Sequence, residues 1–223
     1  MRLGRTLVPH STVSGYLWQM PKRAIVVTTQ FRNDPVNNAI NDGIKKAIRA
    51  CLGENCYGAA TTLIYAGIDA MAFLSMPRGQ NDVMRSDFTS WCDKYIRLSG
   101  ATQIEGIEYY GARCAMLHSY GVASRLSREG KCRQIGYVDR SMPVVRYDPT
   151  IDPGFILLSI DALAQAFFQG VDRFLIDAFS DPDQASVVEA RLRHIVVQYQ
   201  INGSGTPGQD STDPEVNPEK YDR

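Results

Sequence analysis

The sequence predicts a mainly α-helical protein, an antiparallel bundle followed by a smaller lobe made of a β-hairpin and a pair of helices. Three observations carry that expectation. Between residues 36 and 130 apolar residues recur at three- and four-residue steps, the period of an amphipathic helix. From Arg133 the period changes to alternation, as in half-buried strands. Two further helical stripes then follow, and beyond Asn202 Gly, Ser, Pro, Asp and Glu dominate without any apolar period. The predicted organisation is an N-terminal arm over 1–35, a helical bundle over 36–130, a hairpin and two-helix lobe packed on it over 131–201, and a disordered acidic tail over 202–223.

The arm opens on residues 1–22, which lack the apolar run and small-residue cleavage site of a signal peptide; Met20 is a second candidate start. Residues 24–31 are β-branched and short, which suits a strand, and Asn33-Asp34-Pro35 ends it. The first helix is expected over 36–52, with Ile40, Ile44, Ile48, Cys51 and Leu52 inward, Asp42, Lys45, Lys46 and Arg49 outward, and Gly53 as its stop.

A second helix over 57–76 is apolar nearly all round and reads as central. Its polar exceptions Thr62, Tyr65 and Asp69 fall at i, i+3 and i+7, on one face. Ser86 is expected to cap a short helix carrying Phe88, Trp91, Cys92, Tyr95 and Ile96, closed by Gly100. The next helix begins near Ile107 and is expected to run to about Gly130, with Ile107, Gly111, Cys114, Leu117 and Gly121 as its inward stripe. Residues 133–138 and 144–147 flank a turn at 139–143 and read as the hairpin; residues 155–158 add a third short strand. Ser159 caps a helix over 160–179, and Asp181-Pro182 opens a last one with Val188, Leu192, Ile195, Val196 and Tyr199 on its stripe.

Functionally, the informative stretch is the helix from Ile107, because Arg113 and His118 interrupt its apolar setting. Five residues of helix separate them, roughly 140° of rotation and about 7.5 Å of rise. Arg113-Cys-Ala-Met-Leu-His118 resembles the Arg-x4-6-His motif of the HEPN superfamily, small all-helical domains of prokaryotic toxins, CRISPR effectors and antiviral ribonucleases. The resemblance covers about residues 36–130. It implies a HEPN-like bundle and a metal-independent endoribonuclease acting as a toxin or phage-defence effector. It also implies a homodimer whose motif helices meet in one composite site. RNA is the expected partner, with an antitoxin or sensor protein as a further one.

The chemistry needs these two residue types. Attack by the RNA's own 2′-hydroxyl requires proton transfer and a cation on the phosphoryl oxygens. An imidazole titrates near neutral pH, and a guanidinium grips phosphate with two parallel hydrogen bonds. Arg113 and His118 are therefore the candidate catalytic pair, and no metal or other cofactor is expected. Asp69 is a candidate support that either orients His118 or neutralises Arg113 in a structural pair. Tyr120 is a candidate contact to sugar or base, with packing at the rim as its plainer role. Arg125, Arg128, Lys131 and Arg133 gather at the expected helix tail; they either solvate it and favour its C-terminus or form a phosphate track. His194 reads as a surface residue.

Composition narrows the classes further. Lys plus Arg and Asp plus Glu are each 24, so the chain has no global basic charge of the kind that binds nucleic acid indiscriminately, and any RNA site must be local. Five cysteines, odd in number and without a Cys-x-x-Cys pair, and three unclustered histidines exclude a zinc signature. They suggest reduced core thiols in a cytoplasmic protein with no membrane partner. The rival expectation is a catalytically inactive helical interaction or dimerisation module, favoured by Cys114 beside Arg113 and by the neutral overall charge.

Overall fold

The computed structural model describes residues 36–100, 102–139 and 145–195. The expected arm and its strand, the hairpin turn, the end of the last helix and the acidic tail lie outside the described residues. The first helix begins as a π-helix over Asn37–Lys45 and continues as α1 over Lys46–Gly53. Ile40, Ile48 and Leu52 are buried as the sequence predicts, but so is Lys45, which the sequence places on the polar side. The wide π turns change the phase of the side chains, and the ammonium of Lys45 donates to Asp172 Oδ1 at 2.5 Å.

Helix α2 (Tyr57–Ser75) is the centre of the fold and packs against α1, α3, α4, α6 and α7. By length and composition alone it could cross a membrane; here Ile64, Ile68, Met71 and Leu74 are instead fully buried among the surrounding helices. Its C-terminal carbonyls are gripped by Arg191, whose guanidinium donates to the carbonyls of Phe73, Leu74, Met76 and Pro77. Helix α3 (Arg85–Tyr95) starts one residue before the expected Ser86 cap, because the carboxylate of Asp87 reaches back to the amide of Met84 at 2.7 Å.

Helix α4 (Gly106–Ser119) ends eleven residues before Gly130. Tyr120 takes a left-handed conformation, φ 51°, and its amide and that of Gly121 bond back to the carbonyls of Met116 and Ala115, which closes the helix. A separate turn, α5 (Arg125–Arg128), follows with Ser124 as its cap.

The sheet replaces the predicted hairpin with another topology. Strand β1 (Gln134–Val138) pairs in parallel with β3 (Phe155–Ser159), and β2 (Val145–Arg146) pairs antiparallel with the other side of β3, so the order is β1-β3-β2. The central place falls to the most apolar segment, whose Ile156 and Leu158 are fully buried; a strand flanked on both sides is where continuous apolar sequence is best used. Gly136 on β1 allows the close approach: a Cβ there would stand 2.4 Å from the ring of Phe155.

Ser159 caps α6 (Ile160–Ser180) as the sequence predicts, accepting from the amide of Ala162, and α7 (Pro182–Ile195) returns along α2 and α6 with Val188 and Leu192 inward. Phe167 and Phe174 of α6 meet Trp91 of α3. The bundle and the following lobe therefore share one hydrophobic core.

Candidate functional site

Helix α4 buries Glu108, Tyr109, Gly111, Ala112, Ala115 and Met116. Ile107, Tyr110, Arg113, Cys114 and Leu117 are half-buried, and His118 is exposed. Of the stripe expected to face inward, only Gly111 does so. The helix is rotated from that expectation because Tyr109 fills the core and the charged Glu108 finds a buried partner. Arg133 donates from Nε to Glu108 Oε1 at 2.5 Å and from Nη2 to Oε2 at 2.7 Å, a two-pronged pair of the kind that compensates a buried carboxylate.

The small residues of α4 are used within the chain. A Cβ on Gly111 would lie 2.7 Å from Cys132 Sγ, and Ala112 and Ala115 are buried in the same fold. They leave no small-residue seam for another copy. What α4 does present is the half-buried row Ile107, Tyr110, Cys114 and Leu117. Arg113 lies on the flank of that row nearest α2. His118, roughly 140° further round the helix, lies on the opposite flank.

Arg113 donates from Nε to Asp69 Oδ2 at 2.9 Å. Asp69 thus takes the second of its two candidate roles. Its carboxyl is raised above the usual carboxylate value by burial, and the hydrogen bond and charge of Arg113 draw it partly back. Among the described residues the contact to Asp69 is single-pronged, and the guanidinium, with five N–H donors in all, also interacts with the neighbouring Cys114 thiol. Tyr65, which shares the polar face of α2 in sequence, is fully buried and its hydroxyl meets that of Tyr137 at 2.6 Å.

Tyr120 is 65% exposed, but its hydroxyl rests on the first turn of α2, 2.0 Å from where a Cβ on Gly58 would stand. This contact ties the end of α4 to the start of α2 and places Tyr120 beyond His118. The four basic candidates separate. Arg133 is held by Glu108, by the carbonyl of Gln103 at 2.9 Å and by stacking on the ring of Tyr147. Lys131 and Arg125 both approach Glu129, at 2.7 and 3.7 Å, and Arg128 donates to the carbonyl of Ala123.

Lys131 and Arg133 also line a groove of about 550 Å³ with Glu105, Glu108, Tyr147 and Gly154. Smaller clefts lie beside Arg85 and Asp93 and beside Arg78 and Asp183. Arg113 and His118 line none of these three. Among the described residues no group of three or more His, Cys, Asp or Glu is arranged to hold a metal ion.

Two residues escape a reading of the sequence. Glu108 is the third residue after Glu105, the position from which a carboxylate reaches back to a helix start; its Oε2 does accept the amide of Glu105 at 2.8 Å, a signal that spacing could have given. Arg191 gives no local signal, since its four carbonyl partners lie more than a hundred positions away. No family model matches the chain, and neither the curated proteins nor the solved structures compared with it include a significant match.

Proposed function

We propose that the chain is a metal-independent endoribonuclease of HEPN type, acting on RNA in the cytoplasm as a toxin or phage-defence effector. In this reading the site is completed by a second copy of the chain. The supporting observation is the placement of Arg113 and His118 on opposite flanks of the half-buried row Ile107, Tyr110, Cys114 and Leu117. A helix face that is apolar along its middle and carries a cation on one side and an imidazole on the other is suited to a two-fold pairing. Antiparallel two-fold apposition of two such faces brings the two His118 side chains to one side of the seam and the two Arg113 side chains to the other.

The reaction then follows. One imidazole takes the proton of the RNA's 2′-hydroxyl as its oxygen bonds to phosphorus, and the other gives a proton to the 5′-oxygen as its bond to phosphorus breaks. The guanidinium of Arg113 neutralises the charge gathering on the phosphoryl oxygens. A second reading, a catalytically inactive helical module for dimerisation or for a protein partner, is favoured by the hydrogen bond that ties Arg113 to Asp69.

RNA cleavage separates the two. The enzyme is expected to cut RNA but not DNA of the same sequence, which lacks the 2′-hydroxyl. A chelator should not slow it, and the upstream product should end in a 2′,3′-cyclic phosphate. His118→Ala should lower the rate about 100- to 10,000-fold. Light scattering should give twice the 24.8 kDa chain mass. A strict monomer in the presence of RNA removes the shared site, and wild-type cleavage by His118→Ala leaves the module reading in place.

A further inference from the structure

Helix α1 ends in a double backbone closure. The amide of Cys56 donates to the carbonyl of Cys51 at 2.8 Å, and the amide of Asn55 donates to the carbonyl of Leu52 at 3.2 Å. Asn55 supplies the left-handed residue this turn requires, φ 56°, and the phenol of Tyr57 steadies its side chain at 3.0 Å. In such a closure the two residues joined by the outer hydrogen bond are those whose side chains commonly touch across the turn. Here both are cysteines.

The 2.8 Å carbonyl–amide bond sets the two cysteine backbones side by side across the turn, the close approach a disulfide needs, since it spans α-carbons roughly 4.4–6.8 Å apart. Cys56 is exposed, its thiol donating to the carbonyl of Glu54 at 3.7 Å, and Cys51 is half-buried. The other thiols are placed differently. Cys92 is buried, and the thiol of Cys132, lodged against Gly111, is pushed up by burial and by the nearby charge of Glu108.

We propose that Cys51 and Cys56 form a reversible thiol–disulfide site that exchanges with small-molecule disulfides of the glutathione class. The exposed Cys56 thiolate attacks one sulfur of the oxidised ligand, forming a mixed disulfide and releasing one ligand thiol. The Cys51 thiolate then attacks the Cys56 sulfur and displaces the second ligand thiol. Two protein thiols are oxidised, one ligand disulfide is reduced to two thiols, and the released thiolates take up the protons the cysteines gave. The resulting bridge clasps the corner between α1 and α2, two residues before Gly58, on which Tyr120 rests. A ligand thiol in excess reverses it, so the corner reports the thiol balance of its compartment.

The test treats the full chain with oxidised glutathione, quenches with acid, and weighs the tryptic peptide spanning residues 50–78, which holds both cysteines and no internal Lys or Arg. In the wild type this peptide should become lighter by two hydrogens and return to its starting mass with reduced glutathione. Cys51→Ser should instead retain one glutathione on Cys56, and Cys56→Ser should acquire neither change. The wild-type mass decides even if a variant folds poorly. Glutathione stably retained on Cys56 in the wild type would overturn the proposal. So would a peptide left unmodified at every ratio, or one cross-linked to the peptide of Cys114 or Cys132.

Discussion

The first and second halves of α4 each carry a carboxylate–guanidinium pair, and the two pairs are built differently. At the start of the helix Glu108 is 4% exposed and takes two bonds from Arg133, while its Oε2 also accepts the amide of Glu105. Arg133 is held in addition by Gln103 and Tyr147. Further along the helix the Arg113 and Asp69 side chains are 24% and 29% exposed and share a single bond. The first pair has its bonding capacity spent on the fold. The second is partly solvated and held by a single bond between its two members, and partial solvent access is what a group needs if it is to meet a ligand. The contrast separates charges that hold the fold from charges that can work.

Arg113→Ala and Arg133→Ala should therefore fail in opposite ways, and this is the largest effect expected. Under the ribonuclease reading Arg113→Ala loses about 100- to 1,000-fold in rate, the usual cost of removing one donor to a developing oxyanion. Its thermal midpoint should move less than that of Arg133→Ala, because Asp69 is only half-buried where Glu108 is buried, and the stability of a pair falls towards about 0–1 kcal/mol as it becomes exposed. Arg133→Ala strands a buried carboxylate and should cost about 3–5 kcal/mol, read as a fall of roughly 6–20 °C in Tm for a chain of this size. Adding Glu108→Gln should recover part of that loss, since the stranded group is then neutral. If Arg113→Ala melts as early as Arg133→Ala, the two pairs are the same kind of structure and the contrast is void.

A smaller effect tests how tightly the start of α4 is seated. The Gly106 amide donates to Asp93 Oδ1 at 2.6 Å, and a Cβ at Gly106 would stand 2.3 Å from the carbonyl oxygen of Thr89. That obstacle is backbone and cannot turn aside. Gly106→Ala should destabilise the protein by about 1–3 kcal/mol, less the roughly 1 kcal/mol that alanine gains over glycine in a helix. Gly53→Ala, at the end of α1, meets nothing within 4 Å and serves as the control. Urea unfolding of the two variants checks this, and equal stabilities would show that α4 is free to shift on α3.

The same contrast explains what is visible in the sequence. Helices that bury one continuous stripe, such as α1, α6 and the α3 face around Trp91, are legible because periodicity alone specifies them. Helix α4 is legible as an element but not in its rotation. Its apolar residues are spread round the circumference, and the deciding contacts, Glu108 to Arg133 and Gly111 to Cys132, come from residues beyond its end. The sheet differs from expectation for a related reason. Local alternation identifies strands, but only the burial of Ile156 and Leu158 decides that β3 lies between the other two. Of the candidate site, Arg113 with Asp69 can be read from a lone acid on an apolar helix. The exposure of His118 follows from the rotation that the sequence does not specify.

The smallest effect concerns Asp69 itself. Its carboxyl has a folded pKa above the 3.8 of an unperturbed aspartate, because half-burial penalises the charge more than Arg113 relieves it. Between those two values the folded protein holds a proton that the unfolded chain has released. Linkage then gives stability a negative slope with pH in that window: the contribution of Asp69 is most favourable below about pH 4 and declines as pH rises through the folded pKa. Asp69→Asn keeps an oxygen for Arg113 Nε and removes the titration. The difference in unfolding free energy between variant and wild type should therefore shift in favour of the variant as pH is raised from about 4 to about 7. The shift should stay under about 1 kcal/mol, the scale of a partly solvated pair. Glu108→Gln removes the charge that Arg133 grips with two bonds and should weaken the protein at neutral pH. Parallel pH profiles for wild type and Asp69→Asn would mean that Arg113 holds Asp69 ionised throughout, and the surface pair would then serve the fold just as the buried one does.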